Sequence, residues 1–295
     1  MSLPLYYFLT VTAINILMSW ALYLPYRVAH LHFLTVANMA ISGYLAGWMV
    51  QSLGVSFWVG LLAGVAAGGL IGYVISLFIG DAPTFTVVIV GFTFIYITRT
   101  VIENTPAVGS TMGMFGLPLV ASSPEAHRWT MLALLYALVL VVGFLIHRFE
   151  HSRLGRAASA VFVDKDLATS FGVDIKKLGR LLQVFSSALA GACGVIYGFI
   201  YRSFHLDFFT FHLVGLFMTI IFVGGYVTMW GVVVTAPVLY GLTLLFPPEV
   251  ASWRIVIYGA ILVAVLVLKP EGFITRRFAM KLERLLSSKR KKIQS

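Results

Sequence analysis

Residues 56–79 read SFWVGLLAGVAAGGLIGYVISLFI, a stretch without Asp, Glu, Lys or Arg. About 20 apolar residues in a helix cross the ~30 Å hydrocarbon core of a bilayer, so this stretch predicts one crossing. It does not stand alone. It lies inside the 53 uncharged residues between Arg27 and Asp81, and another 41 separate Asp207 from Glu249. Over 295 residues, 21 Lys and Arg with 11 Asp and Glu make only 11% charged residues, where soluble domains carry about 25%. A water-soluble globule is excluded; the chain is a polytopic membrane protein.

The apolar residues form unbroken runs rather than the period-2 alternation of a membrane barrel, so the backbone is best satisfied inside helices and the fold class is all-α. Spans are expected near Leu3 to Leu24, Phe33 to Val50, Ser56 to Ile79, Thr84 to Ile102, Trp129 to His147, Leu181 to Tyr201 and Ile255 to Leu268. The 35 residues from His212 to Phe246 add a pair of crossings or a re-entrant hairpin, broken at Gly224-Gly225, for about 8–9 spans in all. The first apolar run continues to Tyr26, too long for a signal-peptide core, and reads as a retained first span. The single cysteine, Cys193, lies among Ala and Gly and reads as a small packed side chain.

The net charge is +10, and its placement removes any need for a nucleic-acid partner. Arg148 to Arg180 holds seven basic residues, and Lys269 to the C-terminus nine. Short basic loops stay in the cytosol, so both segments are expected there and an even number of crossings must separate them. Five spans before the first basic loop put the N-terminus outside. Glu103 to Arg128, rich in Gly, Pro, Ser and Thr, falls outside as well. The glycines Gly60, Gly64, Gly68 and Gly72 stand four apart on one helix face, and Gly43 with Gly47 and Gly194 with Gly198 repeat the spacing. This is the pattern of close helix contact, expected within one subunit.

Several chemistries are missing from the chain. There is no phosphate-cradling G-x-x-x-x-G-K-[ST], no H-E-x-x-H, no C-x-x-C and no carboxylate cluster. No catalytic residue, cofactor or metal is expected in this chain. His205 and Asp207 are the nearest thing to a catalytic pair and read as a loop at headgroup level. Arg99 is expected to snorkel to the outer end of its helix. An ion-coupled carrier usually needs an ionisable group inside the membrane, and the sequence offers none that convinces. Uphill transport would then draw its energy from another chain.

The segment 152–174, SRLGRAASAVFVDKDLATSFGVD, is not a span and is partly amphipathic, with Ala157, Val161, Ala168 and Phe171 near one helical face. Short helices of this kind suit a groove on a soluble partner or the surface of the inner leaflet. This loop resembles the cytoplasmic loop of the branched-chain amino acid ABC transporter permeases, the LivH/LivM-type family, in Gly155-Arg156-Ala157, Asp164, Ala168, Gly172-Val173 and Lys176. The resemblance continues through Ser186 to Tyr197, through Gly224-Gly225 with Thr228, Trp230 and Gly231, and through Lys269 to Phe273. Asn15, Leu22 to Pro25, Met39 to Tyr44 and Thr111 to Pro118 are similar to the LivM-like branch. Ser159, Phe162 and Val163 stand where relatives carry further charges. Ala29, Leu34, Ser42 and Thr235 replace family glycines.

The resemblance implies one transmembrane permease domain over residues 1–295 in the plasma (inner) membrane. It includes a cytosolic coupling loop, 149–180, and a basic cytosolic tail, 269–295, that meets membrane lipid. It implies two cytosolic ABC ATPase subunits carrying ATP and magnesium, a second permease subunit, an external solute-binding protein, and import of branched-chain or related small amino acids. Gly155, Arg156, Ala157, Phe162, Asp164, Phe171 and Gly172 would form the coupling surface, with Phe162 or Phe171 as an apolar plug. Asn15, Thr35, Asn38 and Ser42, polar on apolar spans, are the translocation-path candidates, and Gly224 with Gly225 the hinge. An ion-coupled secondary transporter and a membrane enzyme using His205 and Asp207 remain the rival readings.

Overall fold

The computed structural model describes residues 2–30, 33–79, 82–244, 253–269 and 272. Among them run eleven α-helices: α1 (Leu3–Tyr26), α2 (Leu34–Ser52), α3 (Phe57–Ile79), α4 (Thr84–Glu103), α5 (Pro124–Glu150), α6 (Arg153–Val163), α7 (Lys165–Ser170), α8 (Ile175–Tyr201), α9 (Phe211–Gly224), α10 (Trp230–Leu244) and α11 (Arg254–Leu268). The only strands among these residues are β1 (Met114–Phe115) and β2 (Ser203–Phe204), paired antiparallel with Met114 opposite Phe204. Among the described residues six segments are long and apolar enough to cross a membrane: α1, α3, α4 from Phe85, α5, α8 and Leu206–Gly224. The chain is an all-α, polytopic membrane protein.

Two helices outrun their apolar runs, for reasons that lie in their caps. α5 starts at Pro124 rather than near Trp129 because the Ser123 hydroxyl accepts the Ala126 N–H at 3.1 Å and proline opens the first turn. α8 starts at Ile175 rather than Leu181 because Asp174 accepts the Lys177 N–H at 2.9 Å. Its first turns, carrying Lys176, Lys177 and Arg180, therefore extend the span beyond its apolar part.

The chain forms two compact units, residues 1–215 and 216–295. In the first, α8 packs against α1, α2 and α3. The glycine stripe of α3 makes this possible. A Cβ on Gly68 would lie 2.5 Å from the Ser187 carbonyl of α8, and one on Gly72 2.5 Å from the Ser187 side chain. Gly43 and Gly47 on α2 and Gly198 on α8 leave the space that the Phe204 ring fills, so the two-residue sheet is anchored in the helical core. All three small-residue motifs thus pack within one chain.

The ends of α1 and α5 meet α6, and β1, β2 and the 104–123 loop lie at the other end of α8. Helices α2 and α4 run parallel, since Phe33 lies against Gly91 while Ala37 and Ala40 share a small cleft with Ile95 and Thr98. At the β end, His127 accepts the Val120 N–H at Nδ1 (3.1 Å), which leaves Nε2–H to donate to the Phe199 carbonyl at 3.0 Å. The start of α5 is thereby fixed to the end of α8.

α10, in the second unit, has 15 residues, about 22 Å of helix and short of the ~30 Å core, while α9, whose later residues open that unit, has 14 and reaches span length only with the preceding turn from Leu206. Their joined ends touch glycine to glycine. A Cβ on Gly224 would sit 2.5 Å from the Gly231 backbone, and Gly225 takes φ +105°, open to glycine without strain. The expected break at Gly224-Gly225 is therefore a close contact and a turn. The basic tail beyond Lys269, Gly272 excepted, lies outside the described residues.

Candidate functional site

Three caps build the 149–180 segment. Ser152 accepts the Gly155 N–H at 3.2 Å and donates to the Phe149 carbonyl at 2.7 Å, starting α6 immediately after α5. Gly155 is required at that corner, because a Cβ would fall 2.7 Å from the Glu150 carbonyl oxygen. Arg156 donates to the His151 carbonyl at 3.3 Å and so braces the same corner. Asp164 ends α6 in an extended conformation and caps α7 by accepting the Leu167 N–H at 2.9 Å. Gly172, at φ +81°, reverses the chain after α7. Asp174 then opens α8, and hydrogen bonding from the Lys177 N–H holds its carboxyl below the usual range.

The break at Asp164 resets the helical phase, and this corrects the single face expected from Ala157, Val161, Ala168 and Phe171. The inward face of α6 is Gly155, Ala158 and Val161, joined by Ala168 from α7, while Ala157 is half-buried. Phe171 turns outward and is 81% exposed, as are Val163 at 85% and Leu167 at 55%. Phe162 instead packs edge-on against Tyr26 of α1, ring centroids 5.3 Å apart.

Polar bonds tie α1 to the end of α5 and to α6 as well. Tyr23 donates to Glu150 Oε1 at 2.5 Å, and Arg27 donates to the Ser159 hydroxyl at 2.5 Å. Sequence reasoning missed Tyr23, Arg27, Ser159 and Glu150 as one cluster. Their separation of up to 132 positions leaves no local pattern to read.

The four path candidates are all buried within the first unit. Asn15 Nδ2, Thr35 Oγ1, both amide atoms of Asn38 and Ser42 Oγ have no hydrogen-bond partner among the described residues. Thr12 and Ser19, which the sequence reading passed over, share this state. Two stripes result, Thr12-Asn15-Ser19 on α1 and Thr35-Asn38-Ser42 on α2, each at i, i+3, i+7, which places each set on one helix face. That spacing was the available signal. Ser42 sits in a closed junction, where a Cβ on Gly68 would lie 3.2 Å and one on Gly191 2.9 Å from its hydroxyl.

His205 and Asp207 of the loop pair take different partners. Asp207 accepts from Arg99 at 2.8 Å, Arg99 also bonds Glu103 at 2.7 Å, and the His205 ring lies edge-on to Phe115. Arg99 thus pairs with both carboxylates, Glu103 and Asp207.

Comparison with known proteins agrees with this architecture. No solved structure matches the chain. The high-affinity branched-chain amino acid transport system permease protein LivM of Salmonella typhimurium is 25% identical over 264 residues, 80% of this chain. The chain spans 61% of that relative's length. The sequence model of the family described as branched-chain amino acid transport system, permease component, matches residues 5–266. On that match, covering most of an all-helical membrane chain, the protein belongs to the branched-chain amino acid transport permease family.

Proposed function

We propose that this chain is the membrane-spanning permease subunit of an ATP-driven importer of branched-chain or related small amino acids, worked through α6 and α7 by separate ATPase subunits. The observation that carries this reading is the outward row of Val163, Leu167 and Phe171 on a helix pair bonded to α1 through Arg27 and Ser159 and joined to α5 at the Ser152 cap. Apolar side chains outside the spans and turned away from their own core suit the groove of a soluble partner. The seven basic residues of 148–180 favour the cytosol for this end.

On this reading ATP and magnesium reside on the partner subunits, a second permease completes the membrane pore, and an external solute-binding protein delivers substrate at the β end. Closure of the ATPases moves α6 and α7. The bonds from Tyr23 and Arg27 pass that displacement to α1, and Gly155 and Arg156 pass it to α5. The stripes through Asn15 and Asn38 line the path once the helices part, and Gly224 with Gly225 allows α9 and α10 to hinge.

Uptake of a labelled branched-chain amino acid by proteoliposomes tests the reading. With ATPase subunits, partner permease and binding protein present, uptake should require ATP, and Phe171→Ser should weaken ATPase docking by about 2 kcal/mol without lowering permease stability. Ion-driven uptake by the chain alone would contradict it.

A further inference from the structure

On the α6–α7 side, the ends of α3 and α8 leave a cleft lined by His30, Ser76, Lys176, Gly179, Arg180 and Gln183. We propose that this cleft binds the phosphate headgroup of an anionic lipid. Its placement in the cytosolic leaflet rests on the orientation proposed above.

Three nitrogen-bearing side chains from two elements converge there. His30 comes from the α1–α2 connection, and Gly179 makes room for it, since a Cβ at that position would lie 3.2 Å from the imidazole Cε1. The Arg180 guanidinium carbon lies 5.8 Å from the centroid of the Tyr73 ring on α3, which holds the group at the cleft. His30 Nε2 and Arg180 Nε are buried with no hydrogen-bond partner among the described residues. Buried donors left in this state are costly, and a phosphate oxygen accepts from both. Lys176 adds a second positive group beside Arg180, and His30 contributes a neutral imidazole. Among the described residues no carboxylate lines the cleft, and the nearby Asp174 is taken by Lys177 at 3.3 Å.

The surface below the cleft selects a lipid over a free anion. Toward the bilayer centre α3 exposes Tyr73 at 44% and Leu70 at 64%, and α8 exposes Leu181 at 52%. A basic pocket above an apolar face matches a headgroup with its acyl chain, whereas inorganic phosphate would use only the upper half.

Native mass spectrometry of the full-length protein in detergent tests this by titration with phosphatidylglycerol, phosphatidylcholine and inorganic phosphate. Phosphatidylglycerol should bind more tightly than phosphatidylcholine. Arg180→Gln and Lys176→Gln should each cost about five-fold for phosphatidylglycerol alone, as expected for one cation near an anionic surface. Lys176 is exposed, so its variant keeps the test valid if Arg180→Gln misfolds. Neutralising Lys289, Arg290, Lys291 and Lys292 should leave the preference intact, and Asp81→Asn should leave or strengthen it. Equal binding of the two lipids, indifference to both cleft variants, loss of the preference with the tail or with Asp81→Asn, or full displacement by inorganic phosphate would overturn the proposal.

Discussion

Tyr23 Oη lies 2.5 Å from Glu150 Oε1, joining the end of α1 to the end of α5 across 127 positions of sequence. Tyr23 is fully buried, so its hydroxyl has little access to water as an alternative partner. Hydrogen bonds to charged groups contribute about 1.5–3 kcal/mol. Tyr23→Phe should therefore lower thermal stability by that order. Glu150→Gln, which keeps an acceptor, should cost less than Glu150→Ala. Melting curves in detergent check the ranking. Coupled turnover should fall in the same order, because the bond ties α1 to the end of α5, where α6 is attached.

Asn38 carries the reverse expectation. Both of its amide atoms are buried without a hydrogen-bond partner among the described residues, and such groups cost about 1–3 kcal/mol each. Asn38→Leu, of similar size, should raise the melting temperature while lowering transport. A variant both less stable and fully active would show that Asn38 serves packing rather than passage.

The pH dependence follows from His30. Burial, and next the positive charge of Lys165, lower its pKa below the ordinary 6.5. As pH falls through about 6.5 the unfolded chain gains a proton that the folded chain resists, so stability declines on acidification and stays level above neutrality. The decline ends once pH passes below the folded pKa. Melting temperatures in neutral detergent should show this slope for the parent protein, and His30→Gln should flatten it.

Helix positions were legible because lipid imposes a local rule: about twenty uncharged residues make a span, and the runs around Gly60 to Gly72 or Gly191 to Gly198 state it openly. Caps moved the ends. Ser123 and Asp174 lengthened α5 and α8 past their apolar runs, and Asp164 split the loop helix so that Phe171 turned out while Ala168 turned in. Asn15, Thr35, Asn38 and Ser42 were visible as polar residues on apolar spans. Thr12 and Ser19 emerge only once helical spacing is combined with burial. The Tyr23–Glu150 and Arg27–Ser159 bonds depend on tertiary packing alone and left no trace in the sequence.

Labelling of a Val163→Cys variant by a membrane-impermeant maleimide reaches the central claim most directly. Val163 is 85% exposed, and the only native cysteine, Cys193, is buried. The α6–α7 pair is expected to label only in inside-out vesicles and to be protected once the ATPase subunits are bound. Labelling in intact right-side-out spheroplasts, or identical labelling with and without those subunits, would contradict a cytosolic helix pair gripped by an ATPase.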